Sequence, residues 1–177
     1  DVEIITGSWL EEMLQLCQQK DVGMVGAKLY YPDDTIQHAG VVVGLGGVAA
    51  HVLCKLPRDA EGYMGRLRCV QEISAVTAAC MMVKTSVFKA VGGFDEELKV
   101  AFNDIDFCMK LRKAGYLIVY NPYAELYHYE SKSRGMEDTP EKQLRFSREV
   151  NCFRRKWERE LLKGDPYYLS LIHISEP

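Results

Sequence analysis

The sequence lacks any apolar run approaching the ~20 residues that a membrane-spanning helix needs, and no such helix is expected within its 177 residues. Any membrane contact must then come from a surface or from sequence outside these residues. It also lacks paired cysteines. Cys17, Cys54, Cys69, Cys80, Cys108 and Cys152 are scattered without a Cys-x-x-Cys, which excludes a zinc ribbon or thiol redox motif, and several sit in apolar runs that read as core. This usage fits a reducing, cytoplasmic setting. A charge excess of either sign is missing too. With 22 basic and 25 acidic residues the net charge is -3, so nucleic acid and anionic lipid have no electrostatic claim as main partners. What is present is ordinary for a globular chain: 47% apolar and 27% charged residues, enough for one domain that buries about two thirds of its unfolded surface.

The pattern along the chain is that of an α/β domain. Asp1 to Ile5 reads as the exit of a strand, so the chain is expected to begin inside a domain. Ser8 and Glu11 form a capping box ahead of Leu10, Met13, Leu14 and Cys17, which predicts an amphipathic helix over 8–20. Val22–Tyr31 and Ile36–Leu45 are β-rich and separated by Pro32-Asp33-Asp34, which suggests a hairpin and a mixed sheet. Residues 48–68 mix charge with small residues and read as a mobile or substrate-facing loop. Ile73–Val83 is nearly all apolar or small, as expected of a central strand buried on both faces. A short helix over 85–91, a helix over 104–114, strands over 116–120 and 124–129, and a long helix from Pro140 to about Lys163 complete the reading. In that last helix Leu144, Val150, Phe153, Trp157 and Leu161 form a packing stripe. Leu169–Pro177 belongs to no element of this pattern and is expected to be a non-native tail on a domain spanning 1–168.

The most informative segment is Gly92–Tyr116, GGFDEELKVAFNDIDFCMKLRKAGY, in which a double glycine, an acidic turn and a helix opening on carboxylates follow one another. With Thr77-Ala78-Ala79-Cys80-Met81 upstream, it resembles the signature of family 2 glycosyltransferases over roughly residues 1–168. The resemblance implies a GT-A-like mixed sheet flanked by helices, lacking its N-terminal nucleoside-binding half. It also implies inverting transfer of a sugar from a nucleotide-diphosphate donor to a hydroxyl of a glycan or lipid-linked acceptor, at most with peripheral contact to the inner face of the plasma membrane. Because the nucleoside-binding half is lacking, the fragment alone is expected to be inactive.

Inverting transfer needs a base for the acceptor hydroxyl, and Asp104 is the candidate, kept ionised by the helix N-terminus beside it. Read without the resemblance, the same residue is a helix N-cap. Asp106 either orients substrate or merely sits favourably in the first turn, and Asn103 stands where many relatives carry a glutamate. Asp1 falls where the resemblance places the last aspartate of a DxD-like motif, and His128 where a histidine lies beside metal and diphosphate. The two are the expected ligands of Mg²⁺ or Mn²⁺, hard cations that take carboxylate and phosphate oxygen. Lys132 and Arg134 follow as diphosphate-binding residues. His38, Thr77, Ala78 and Cys80 are expected to face sugar or acceptor, and His51 is held more weakly. Gly44–Gly47 lacks the strand–turn–helix context of a dinucleotide fingerprint. Arg154–Trp157 is similar to part of a processive-synthase motif, but the motif's glutamine is absent. Two other readings stay open: a noncatalytic glycan- or protein-binding module on the same fold, and a metal-dependent phosphohydrolase using Asp104, Asp106 and His128.

Overall fold

The computed structural model describes residues 1–129 and 139–168. In chain order the elements are β1 (Val2–Ile4), α1 (Trp9–Cys17), β2 (Val22–Tyr30), β3 (Ile36–His38), β4 (Val41–Val43), β5 (Ala49–His51), β6 (Gln71–Glu72), β7 (Met81–Val83), α2 (Thr85–Ala90), α3 (Asn103–Lys113), β8 (Leu117–His128) and α4 (Pro140–Lys163). A six-stranded mixed sheet is built on the parallel pair β2–β8. The outer edge of β2 pairs antiparallel with β7 and β3, and the outer edge of β8 with β6 and β1. β4 and β5 form a separate hairpin. Helices flank this mixed sheet, an architecture consistent with a GT-A-like fold.

β2 is buried over its whole length because both faces are covered, which explains its lack of hydrophobic alternation. One face packs Val25, Ala27 and Leu29 against Met13 and Cys17 of α1, and the other packs Met24 and Tyr30 with Phe107, Cys108 and Leu111 of α3. Its glycines mark close approaches: a Cβ at Gly26 would lie 2.4 Å from a methyl of Val76.

The β2–β3 hairpin is present, with Leu29 opposite His38, but the run expected over 36–45 splits: the chain turns at Gly40, at φ 111°, and Val41–Val43 pairs with β5 instead. The expected central strand over 73–83 is not. Its residues cross over the sheet from the outer edge of β8, at β6, to the outer edge of β2, at β7, with Val76 seated over Gly26 and a turn at 77–80 between. Only Ile73–Val76 of the run is buried, while 77–83 is partly exposed, and β2 and β8 are the central strands instead. Residues 48–68 are tied down, with Ile36 donating its amide to Leu56 O at 2.8 Å and Arg58 paired to Asp34 and Glu125. Ser8 makes no side-chain cap to α1. The two strands expected at 116–120 and 124–129 are one, β8, interrupted around Pro122. There the register jumps from Ala27–Asn121 to Lys28–Glu125, which accommodates a residue with no amide to donate. α4 begins as expected, with Thr139 Oγ1 accepting from the Lys142 amide.

Candidate functional site

The loop from Phe94 to Phe102 enters α3 through Phe102 in the left-handed region, at φ 63°. Asp104 is therefore the second helical residue and not the cap, so its carboxylate is available to another element. Its Oδ2 accepts the Ala78 amide at 3.0 Å and its Oδ1 the Ile105 amide at 2.9 Å. Ala78 is exposed and Asp104 half-buried. A partly exposed carboxylate is thus held in one orientation at a helix N-terminus by two backbone amides.

The turn holding Asp104 also touches the histidines. Thr77 donates its amide to His38 Nε2 at 3.5 Å, and His38 Nδ1 lies 2.9 Å from His51 Nδ1. An acceptor role for Nε2 places the His38 proton on Nδ1, so His51 Nδ1 is the acceptor in that contact. His38 is fully buried, and burial, followed by the charges of His51 and His128, holds its pKa well below the ordinary histidine value.

His128 arrives at the same end of the sheet through β8. Its Nδ1 lies 2.8 Å from Gln37 Oε1, and Gln37 Nε2 donates to His128 O at 3.3 Å. The amide oxygen can only accept, so Nδ1 carries the proton in this contact. β1 lies alongside, with Val2 opposite His128 and the Tyr129 amide donating to Asp1 O at 2.9 Å. Asp1 and His128 thus come from distant parts of the sequence to neighbouring places on one ladder. Among the described residues no group of three or more His, Cys, Asp or Glu side chains is placed to hold a metal ion. The register sets Val2 opposite His128, so strand alternation turns the Asp1 side chain to the face of Tyr129 and not to that of His128; the two share a place on the backbone ladder.

Two expected site residues lie elsewhere. Asp106 is fully buried and points at α4: Trp157 Nε1 donates to its Oδ1 at 2.8 Å, Lys156 Nζ lies 2.8 Å from the same oxygen, and Lys110 Nζ lies 3.2 Å from Oδ2. With its carboxylate enclosed by these groups, it does not reach substrate. Cys80 turns its thiol to Met13 Sδ at 3.9 Å, and burial raises its pKa to about 11. That side chain is a packing group, whereas Thr77 and Ala78 do lie in the turn at Asp104. Lys132, Arg134 and the tail from Leu169 fall outside the described residues. Gln37, the partner of His128, was not anticipated; the signal available was its place next to His38 on a β-rich run.

The family model described as "Glycosyltransferase like family 2" matches residues 2–149. The protein y4gI of Sinorhizobium fredii is 57% identical over 169 residues, 95% of this chain and 18% of that protein. The O-antigen biosynthesis protein RfbC of Myxococcus xanthus is 37% identical over 169 residues, 95% of this chain and 13% of its own. The N-acetylglucosaminyl-diphospho-decaprenol L-rhamnosyltransferase of Mycobacterium tuberculosis is 40% identical over 62 residues, 35% of this chain and 20% of the relative. The chain therefore spans a fifth or less of the length of the relatives it matches. A family match across most of the chain, on a mixed sheet flanked by helices, places it: the chain belongs to the family 2-like glycosyltransferases.

Proposed function

We propose that this domain transfers a hexosyl or deoxyhexosyl unit, with inversion, from a nucleotide-diphosphate sugar to a hydroxyl of a glycan or lipid-linked acceptor in bacterial surface-polysaccharide synthesis. The seat of Asp104 carries the reading. A carboxylate fixed by the Ala78 amide at 3.0 Å, half-buried at a helix N-terminus, suits a base that takes the acceptor proton. As the proton moves to Asp104, the acceptor oxygen bonds to the anomeric carbon. The bond from that carbon to the diphosphate oxygen breaks on the opposite face, and the configuration inverts. Thr77 and Ala78 border the acceptor side, and His38, fully buried behind them, holds the Thr77 amide. Asp1 or His128, not both from one face, would hold Mg²⁺ or Mn²⁺, which neutralises charge on the leaving diphosphate. Lys132 and Arg134 are proposed to bind the same diphosphate. The names of the Myxococcus and Mycobacterium relatives support the polysaccharide setting and a deoxyhexosyl donor. Among the described residues no helix is long and apolar enough to cross a membrane; the cytoplasmic setting with peripheral contact to the inner membrane face is part of the proposal and rests on the nucleotide-sugar donor.

The test uses a protein carrying this domain, with UDP-glucose and dTDP-L-rhamnose as donors. Nucleoside diphosphate release is followed, and the product anomer is assigned by NMR. Asp104→Asn is expected to lower turnover by roughly 10²- to 10⁴-fold with donor binding nearly unchanged. Full activity in that variant, or a product with retained configuration, overturns the reading.

A further inference from the structure

α4 meets the loop that delivers Asp104 at three levels of one helical face. Glu149, only 3% exposed, accepts the Ala101 amide at 2.8 Å and the Val100 amide at 3.3 Å, and Arg145 Nε lies 3.9 Å from it. The ring of Phe102, the left-handed residue just before α3, sits between Phe146 and Phe153, with centroids 5.7 and 5.5 Å away. One turn further, Lys156 Nζ bridges two carboxylates, Asp95 at the start of the loop and Asp106 in the first turn of α3. The loop itself has no ladder: its internal ties are Asp95 contacts to the Glu97 and Leu98 amides. A buried carboxylate committed to two loop amides and an ammonium shared by two carboxylates exceed what packing a helix requires.

We propose that Glu149 and Lys156 are positioning residues: through the Phe94–Phe102 loop they set where Asp104 sits against Ala78. Glu149 holds the exit of the loop, Lys156 its entrance and the helix it feeds. The left-handed Phe102 makes this necessary, because a non-glycine residue persists in that conformation only where its surroundings impose it. The proposal rests on Asp104 being the base, and misplacement of a reacting group by about 1 Å can cost on the order of 10²-fold in rate.

Two measurements separate this from a general loss of stability. On the 177-residue chain, amide hydrogen exchange in Glu149→Gln is expected to accelerate at Ala78, Val100 and Ala101 by at least tenfold while the β2 amides of Val25 and Ala27 keep wild-type rates. Unchanged exchange at Ala78 overturns the proposal. Lys156→Met should accelerate Ala78 similarly and Lys156→Arg should restore it. If Glu149→Gln does not fold, Glu149→Asp takes its place with the same criteria. In the transfer assay with UDP-glucose and dTDP-L-rhamnose, Glu149→Gln should lower kcat with donor KM within about twofold, and it should add no loss to Asp104→Asn, since it acts through that residue. Additive losses overturn positioning. Full activity of Asp104→Asn would instead sink the base reading, leaving the exchange result to stand or fall alone.

Discussion

The two faces of the β2–β8 pair are built to different ends. On the α1 face Met13, Cys17, Val25, Ala27, Leu29 and Leu126 pack as an apolar layer, and the buried polar group that reaches α1 is Asn121, whose amide donates to Glu12 O at 2.8 Å. On the other face, α3 and α4 bury Asp106 and Glu149 among aromatic rings, each carboxylate met by specific donors. Unpaired buried charge is far costlier than a missing methyl, so such groups constrain geometry more tightly than apolar packing does. One face holds the sheet together; the other fixes positions. Asp104 and Asp106 show the contrast within a single helical turn, one turned to an exposed amide and the other sealed against Trp157 and Lys156.

That contrast can be broken by substitution. Asp104→Asn is expected to have the largest effect, the 10²- to 10⁴-fold loss of turnover given above, with the thermal midpoint nearly unchanged. Met13→Ala should act in the opposite sense, lowering unfolding free energy by about 2–4 kcal/mol through the cavity it leaves, with turnover of the folded fraction intact. Denaturant titration beside the transfer assay reads both quantities; a rate loss in Met13→Ala would mean the α1 face is not passive. Asp106→Asn should cost about 2–3 kcal/mol, below the usual range for breaking a buried pair because Lys156 is partly exposed and keeps Asp95. If it abolished turnover as fully as Asp104→Asn at unchanged stability, Asp106 would belong to the chemistry after all.

The smallest effect concerns pH. His38 is neutral in the fold, its pKa held well below the ordinary 6.5 first by burial and then by His51 and His128. The unfolded chain takes up that proton below about pH 6.5 while the folded chain does not. Stability from this group is thus complete above that pH and declines as pH falls, by at most about 1.4 kcal/mol per unit. His38→Gln should flatten this part of the stability profile between pH 6.5 and 5, and an unaltered slope would mean that another group sets it.

The sequence by itself determined the local elements and the family. α1, α4 and the β2–β3 hairpin follow from periodicity, a proline at the first helical turn and a turn between β-rich runs, all of which act over a few residues. The GGFDE segment with Asp104 was legible for the same reason, since its glycines, acidic turn and helix start are contiguous. Only the tertiary structure decided what depends on residues far apart. The apolar run at 73–83 reads as a strand because small and apolar residues suit a buried crossing, as at 73–76, as well as they suit a sheet interior; its crossing is set by the space over Gly26. Asp104 and Asp106 are equally plausible carboxylates in sequence, and they part because Trp157 and Lys156, some fifty residues on, claim one of them while Ala78 meets the other. Glu149 looks like any solvated helix glutamate until Val100 and Ala101 are found pointing their amides at it. A pattern along the chain encodes which residues share a helix face, but the partner that face meets is fixed by chain closure over long loops, and no local spacing records it.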